Sequence, residues 1–452
     1  MTVTPYRYLR ELGKTLSQHR PQSLRPHNNW MALSPLAVFL VVYLVSSIVA
    51  GDFYKVPIVS AFLIAAVYAI AISRGGDLDR RVVIFSEGAG NKSVLLMIWI
   101  FVLAGAFAST AKEIGAVDAT VTLTTSLLPG NLLLAGMFVA SCLVSMAVGT
   151  SVGTIAALMP IAAGLSEPAG IDIAMMAAAI TGGAFFGDNL SFISDTTIAA
   201  TRTQGCKMSE KFKANLALAL PAAIIVCVIY VIAGSGATEI ASSGDINIVK
   251  VLPYLAVIAL AIGGINVMVV LLLGIVINGI IGFACGDFGW VGYLESIGRG
   301  IASMGDLIIV TMLAGGVLEI IRYNGGIDFV VARLTSRIKG RRGAELCIAA
   351  LVSLANLCTA NNTIAIISTG EIARNITEKY GLRPRRTASL LDTFSCIVQG
   401  ILPYGAQLLM AAGLAGVGAL SIIRYLYYPL VLFFITCLSI VFAKGAAESK
   451  KA

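Results

Sequence analysis

The sequence predicts an all-α, polytopic membrane helical bundle of two inverted repeats with broken or re-entrant helices. Three observations carry this. Apolar runs of about 20 residues recur from Leu33 to Val441. The chain resembles itself at a separation of about 210 residues. Polar breaks interrupt the apolar runs at matching places in the two halves.

The apolar runs are rich in Gly, Ala, Leu and Ile and too long for barrel strands, so they read as helices. With 58% hydrophobic and 12% charged residues and a mean hydropathy of +0.89, lipid must cover most of the chain. The net charge of +8 is spread over short basic clusters between apolar runs, which fits loops at anionic headgroups and excludes nucleic acid as a partner. The eight cysteines form no CxxC pair and read as packing residues. Both histidines, His19 and His27, lie in the polar N-terminal stretch, so an intramembrane proton must ride on Asp or Glu. With no metal-ligand cluster, no membrane His and no soluble nucleotide domain, the chain is not expected to be an enzyme, and no cofactor is expected.

The positive-inside rule threads the chain through an inner membrane with both termini cytoplasmic. Residues 1–30 form a polar cytoplasmic tail, 31–235 the first repeat half, 236–442 the second, and 443–452 a cytoplasmic C-terminal tail. About 14 membrane segments result, with 172–201 read as one crossing and 251–285 split at Gly263-Gly264. Arg202, Lys207, Lys211 and Lys213 fall in a cytoplasmic loop, and apart from Arg424 no Arg or Lys is expected inside the membrane.

The repeat pairs Leu103-Ala104-Gly105 with Leu313-Ala314-Gly315, and Lys112, Gly115 and Asp118 with Arg322, Gly325 and Asp328, all 210 apart. After the loss of one residue, Thr150, Thr154, Ile155 and Ala156 meet Thr359, Thr363, Ile364 and Ala365 at 209. Segment 93–111 threads outward and 305–321 inward, so the repeats are inverted. Such repeats point to a secondary transporter with its site near the midplane, where helices are interrupted.

Two matching places combine breaks with polar side chains. The first pairs Thr150 to Thr154 with Thr359, Asn361, Asn362 and Thr363, although Ser and Thr also serve as hydrogen-bonding glue between helices. The second runs from Gly187 through Asp188, Asn189, Ser191, Ser194, Asp195 and Thr196, and is matched by Asp392, Gln399 and Tyr404 around Pro403. An intramembrane carboxylate costs about 2.5–3.5 kcal/mol to insert, so it should face the interior and carry function. On a continuous helix Asp188, Ser191 and Asp195 share one face, a set of hard oxygen ligands, and Gly187 would let the backbone open before them. Burial favours a protonated carboxyl, which lets a proton compete with a metal cation. Glu113, Asp118, Glu319 and Asp328 lie near membrane ends, solvated or paired with Lys112 and Arg322.

The stretch Gly-Ala-Phe-Phe-Gly-Asp188-Asn-Leu-Ser-Phe-Ile-Ser-Asp195-Thr-Thr resembles the signature of the NhaC-type Na+/H+ antiporters, with Phe192 where members often carry Pro. The similarity runs from about Leu95 to Leu409 and includes the break near Thr150, Asn361-Asn362 and Gln399-Gly-x-x-Pro403-Tyr404-Gly405. It implies the ion-transporter superfamily architecture. The expected cargo is Na+ exported against H+, with Asp188, Asp195 and Asn361 on the metal ion and Asn362 and Thr363 completing the site from the other repeat. The alternative is a Na+- or H+-coupled amino-acid or organic-acid carrier of the same fold. A channel would differ in needing no counter-ion. Partners are then the cation, the proton, the bilayer and, as an expected assembly, a second copy in a homodimer.

Overall fold

A computed structural model describes residues 30–442 apart from 51–56, 75, 128, 193, 238–246, 264, 336–337 and 339; the two tails lie outside the described residues, with His19 and His27. Among the described residues the regular structure is helical, without strands. The helices are α1 (Ser34–Ala50), α2 (Ile58–Ile72), α3 (Leu78–Ala89), α4 (Lys92–Glu113), α5 (Ala116–Leu127), α6 (Gly130–Val148) and α7 (Ser151–Ala169). There follow α8 (Ile173–Leu190), α9 (Asp195–Gln204), α10 (Met208–Ala233), α11 (Ile248–Ile262), α12 (Val267–Cys285), α13 (Trp290–Ser303) and α14 (Gly305–Tyr323). The last are α15 (Gly326–Thr335), α16 (Gly340–Thr359), α17 (Asn362–Lys379), α18 (Pro384–Ile401), α19 (Ala406–Ala415), α20 (Ala419–Arg424) and α21 (Tyr427–Val441).

Nine helical stretches among the described residues are long and apolar enough to cross a membrane, and four shorter apolar helices accompany them. Large apolar side chains stand on the outside, Ile232 and Phe434 among them, as a lipid-covered surface requires. The apolar stretch 251–285 does divide beside Gly263, into α11 and α12. By contrast, 172–201 is not one continuous helix: α8 stops at Leu190 and α9 starts at Asp195.

Element boundaries recur between the halves. Helices α4 and α14 end at Glu113 and Tyr323, 210 residues apart, and each is followed by a positive-φ glycine, Gly115 and Gly325. From the ends of α6 and α16 onward the separation is 211, not the expected 209. Helices α7 and α17 begin at Ser151 and Asn362, α8 and α18 at Ile173 and Pro384, and α9 and α19 at Asp195 and Ala406. The glycines that close α7 and α9, Gly170 and Gly205, match Gly381 and Gly416, each pair 211 apart with nearly equal positive φ. Helix α16 has 20 residues against 19 in α6, so a residue is gained where the threonine matches suggested one lost.

Thr150 therefore corresponds to Asn361, not Thr359. Both are extended helix caps with φ −146°, preceded by left-handed Gly149 (φ 75°) and Ala360 (φ 46°). Ala360 is the one non-glycine residue at positive φ among the described residues, a conformation that costs an L-residue about 1–2 kcal/mol.

The packing repeats as well. Helix α9 lies on α17 and α19 on α7; α4 lies on α13 and α14 on α3, so each half completes the other. Gly187 does not open α8, as the sequence suggested. A Cβ there would collide with Ser145 Cβ and the Met146 backbone of α6, so this glycine allows two helices to approach closely. The contact is secured by Ser141 and Ser145, whose hydroxyls donate to the carbonyls of Ile180 and Ala184, each at 2.6 Å. At the corresponding place in the second half Asn356 of α16 donates to the Ser395 carbonyl of α18 (2.8 Å).

Candidate functional site

Asp188 sits two residues before the end of α8 and is 5% exposed. Its two oxygens accept from Ser151 Oγ (2.9 Å) and Ser194 Oγ (2.5 Å). Ser151 is the first residue of α7 and Ser194 the N-cap of α9, so the carboxylate lies against the starts of two helices, whose positive dipole ends favour negative charge. The Ser194 hydroxyl also reaches Thr196 Oγ1 (2.8 Å). Among the described residues no basic side chain forms an ion pair with Asp188.

The break in the chain makes this site. Ser191 ends α8 with extended backbone, its N–H bonded to the Gly187 carbonyl (2.7 Å), and Ser194 is extended again before α9. Asp188, Ser191 and Asp195 consequently do not share one helix face. Ser191 is buried, whereas Asp195 in the first turn of α9 is exposed. Phe192, inside the break, stacks on Phe212 of α10 with ring centroids 4.5 Å apart.

A hydrogen-bond relay links Asp188 to the other half. Ser151 Oγ accepts from Gln407 Nε2 (3.0 Å), and Gln407 Oε1 accepts from Gln399 Nε2 (2.9 Å). Gln399 Nε2 also reaches the carbonyl of Ala360, at 3.0 Å. Ala360 lines a cavity of about 180 Å³ together with Thr359, Asn361, Thr311, Glu319 and Tyr404.

The remaining expected ligands make local hydrogen bonds. Asn361 caps α17, its Oδ1 accepting the Ile364 N–H (3.0 Å), and its carbonyl accepts from Thr359 Oγ1 (3.1 Å). Asn362 Oδ1 accepts the Thr363 N–H (3.1 Å), while its Nδ2 is buried with no acceptor. Thr154 bonds back to the Thr150 carbonyl (2.9 Å), and Tyr404 donates to the Leu357 carbonyl (2.8 Å) while packing edge-on against Phe39 and Phe62. Asp188, Asp195 and Asn361 thus take three different environments, and no cluster of three acidic, Cys or His side chains occurs among the described residues. Near the ends, Glu319 does pair with Arg322 (3.4 Å), but Glu113 pairs with Arg299 (2.6 Å), not Lys112.

Asp392 forms a second centre that the sequence reading missed in part. It is fully buried and paired at 2.6 Å with Lys211, which is 1% exposed. Lys211 is thus a core residue, contrary to its expected place in a cytoplasmic loop. The premise that no Lys enters the interior falls with it. Lys211 Nζ also donates to the Asn189 carbonyl (2.7 Å) and Thr197 Oγ1 (2.6 Å). One turn on, Asn215 Nδ2 reaches Asn189 Oδ1 and Asp392 Oδ2, both at 2.8 Å, and Asn189 Nδ2 approaches Thr393 Oγ1 (3.4 Å). The signal for this was the helical period of α10: Lys211, Asn215, Leu218, Ala219, Ala222 and Val226 form one buried stripe.

A sequence profile of the Na+/H+ antiporter family matches residues 23–235 and 240–444. The chain belongs to the Na+/H+ antiporter family. Within that family it is similar to the Na+/H+ antiporter NhaC of Bacillus subtilis, 24% identical with 87% of this chain and 94% of the relative covered. NhaC of Alkalihalophilus pseudofirmus is likewise 24% identical, over 90% of this chain and 93% of the relative. A malate-2H+/Na+-lactate antiporter of Bacillus subtilis is 23% identical, over 67% and 71%. Among solved structures, the YdaH transporter of Alcanivorax borkumensis is 13% identical, covers 90% of this chain and 97% of its own, and has a TM-score of 0.41.

Proposed function

We propose that this chain is a secondary active antiporter that exports Na+ in exchange for H+ at Asp188. One observation carries the reading. Asp188 is buried in a broken membrane-length helix pair, is held by hydroxyls and has no basic partner among the described residues, whereas the neighbouring carboxylate, Asp392, is neutralised by Lys211. A buried carboxylate in that setting is stable only when something positive neutralises it.

A proton or a small hard cation each meets that need. For a cation, the Ser151, Ser194 and Thr196 hydroxyls turn their lone pairs inward and complete an oxygen shell. The two occupants exclude one another at one carboxylate, and that exclusion couples their flows. The recurrence of element boundaries supports an inverted pair of halves, with α8–α9 and α18–α19 as the interrupted helices between which access alternates. The basic segments at 202–213 and 333–342 then lie in the cytoplasm, except for Lys211.

Asp188→Asn keeps the size of the side chain and removes its charge. In inverted vesicles it is expected to abolish Na+-dependent proton flux while protein abundance stays near that of the parent. Retained exchange would overturn the reading. Coupled uptake of an amino or organic acid without Na+/H+ exchange would move the chain to the carrier alternative.

A further inference from the structure

The Lys211 ammonium is enclosed by oxygens from three helices. Asp392 Oδ2 of α18 lies at 2.6 Å, Thr197 Oγ1 of α9 at 2.6 Å and the Asn189 carbonyl of α8 at 2.7 Å. The carbonyl belongs to the last turn of an interrupted helix and also accepts from Asn215 Nδ2 (3.0 Å). Two more buried oxygens of the cluster, Asp392 Oδ1 and Asn215 Oδ1, face no donor. The set has one negative charge and otherwise neutral, hard oxygens, which matches a monovalent metal cation in charge and chemistry.

Nothing in the repeat requires this centre. At a separation of 211 residues Lys211 corresponds to Ile422, Asn215 to Leu426 and Asp392 to Thr181, so the counterparts carry no charge. The cage is built from both halves at one place only.

We propose that the oxygen cage around Lys211 is a second monovalent-cation site, which this chain fills with its own ammonium group. The tethered charge neutralises Asp392 throughout the transport cycle, so exchange is confined to Asp188. Removing the ammonium group leaves a carboxylate, a carbonyl and a hydroxyl around a space that Na+ can enter. The effect on exchange rests on the reading of Asp188 above; the existence of the second site does not.

The test is made in an Asp188→Asn background, so that it does not depend on the first site. Thermal stability of the purified full-length protein is followed against NaCl and against choline chloride, together with equilibrium binding of ²²Na+. Lys211→Ala is expected to introduce a saturable, Na+-specific rise in Tm and one bound Na+ per chain, both absent with Lys211 in place. Adding Asp392→Asn should abolish both. Lys211→Met with Asp392→Asn, a neutral pair of similar shape, is the folding control and should be insensitive to Na+. The proposal is overturned if Lys211→Ala gains no Na+-specific stabilisation, or if it stays unfolded at every Na+ concentration while the neutral pair folds. Failure of the Asp188 reading is seen separately, as exchange retained by Asp188→Asn alone.

Discussion

Asp188 and Gln399 stand at the same place in the two repeats, each two residues before the end of an interrupted helix, and Gln407 and Ser151 join them. One repeat places an ionisable carboxylate at this position and the other a neutral amide of similar reach. Every donor in the relay points toward Asp188, the polarity an ionised carboxylate imposes. Gln407→Leu removes the central link and should raise the KM for Na+ about fivefold, the equivalent of about one net hydrogen bond of about 1 kcal/mol. Vesicle flux measured across a range of Na+ checks this, and an unchanged KM would show that the relay does not reach the site.

Asp195 lies in the same signature but is exposed at the start of α9. Asp195→Asn should therefore change the KM for Na+ by no more than about twofold, as an exposed charge at a few ångströms is worth little. It should also preserve competition with protons. In both the parent and this variant the KM for Na+ should rise as pH falls, the outcome expected if the proton and Na+ compete for one carboxylate, Asp188. A flat KM across pH in the parent would remove the shared site.

Asn361 acts as a helix cap, which predicts a pattern of rescue. Asn361→Ala should lower stability by about 0.5–2 kcal/mol, while Asn361→Asp and Asn361→Ser, which also cap, restore most of the loss. Melting curves in detergent separate this from ion ligation. If the Ala variant melts like the parent and only its KM for Na+ changes, the side chain is a ligand instead.

At Gly187 the backbone of α6 leaves no space for a side chain. Gly187→Val should reduce Tm and the folded fraction by forcing α6 and α8 apart, an overpacking cost of about 1–3 kcal/mol. Wild-type melting would show that the two helices adjust freely.

Orientation is open to labelling once the exposed native thiol Cys285 is replaced. A Cys at Gly236 should react with an impermeant thiol reagent added outside intact cells, and one at Arg341 should not. Reaction of both from the same side would rule out inverted halves.

Helices and their approximate limits were legible because lipid demands long apolar runs, and the division of 251–285 was marked by its glycines. The break at 191–194 was harder to read, since the Asp188 signature has helical spacing that is equally well satisfied by two helix ends meeting. Threonine identity misplaced the repeat by two residues. The conformations of Gly149 and Ala360 set the true alignment, and identity between glycine and alanine was never there to be found. Lys211 was read by its charge and its neighbours Lys207 and Lys213, although its spacing to Asn215 and Ala219 placed it on the buried stripe of α10. A lone charge in an apolar helix requires a partner distant in sequence, and spacing within one helix does not identify it.

The Lys211–Asp392 pair also has a consequence for how the protein is made. The two charges belong to opposite halves, and the chain is synthesised from its N-terminus. When the first half enters the bilayer, the carboxylate that pairs with Lys211 in the finished protein is not yet made, so the core around Lys211 cannot close as it does here until α18 arrives. Closure of the core is thereby tied to completion of the second half. A truncated product that stops before Asp392 keeps an unneutralised charge in lipid, a defect by which membrane quality control can distinguish it from the finished transporter.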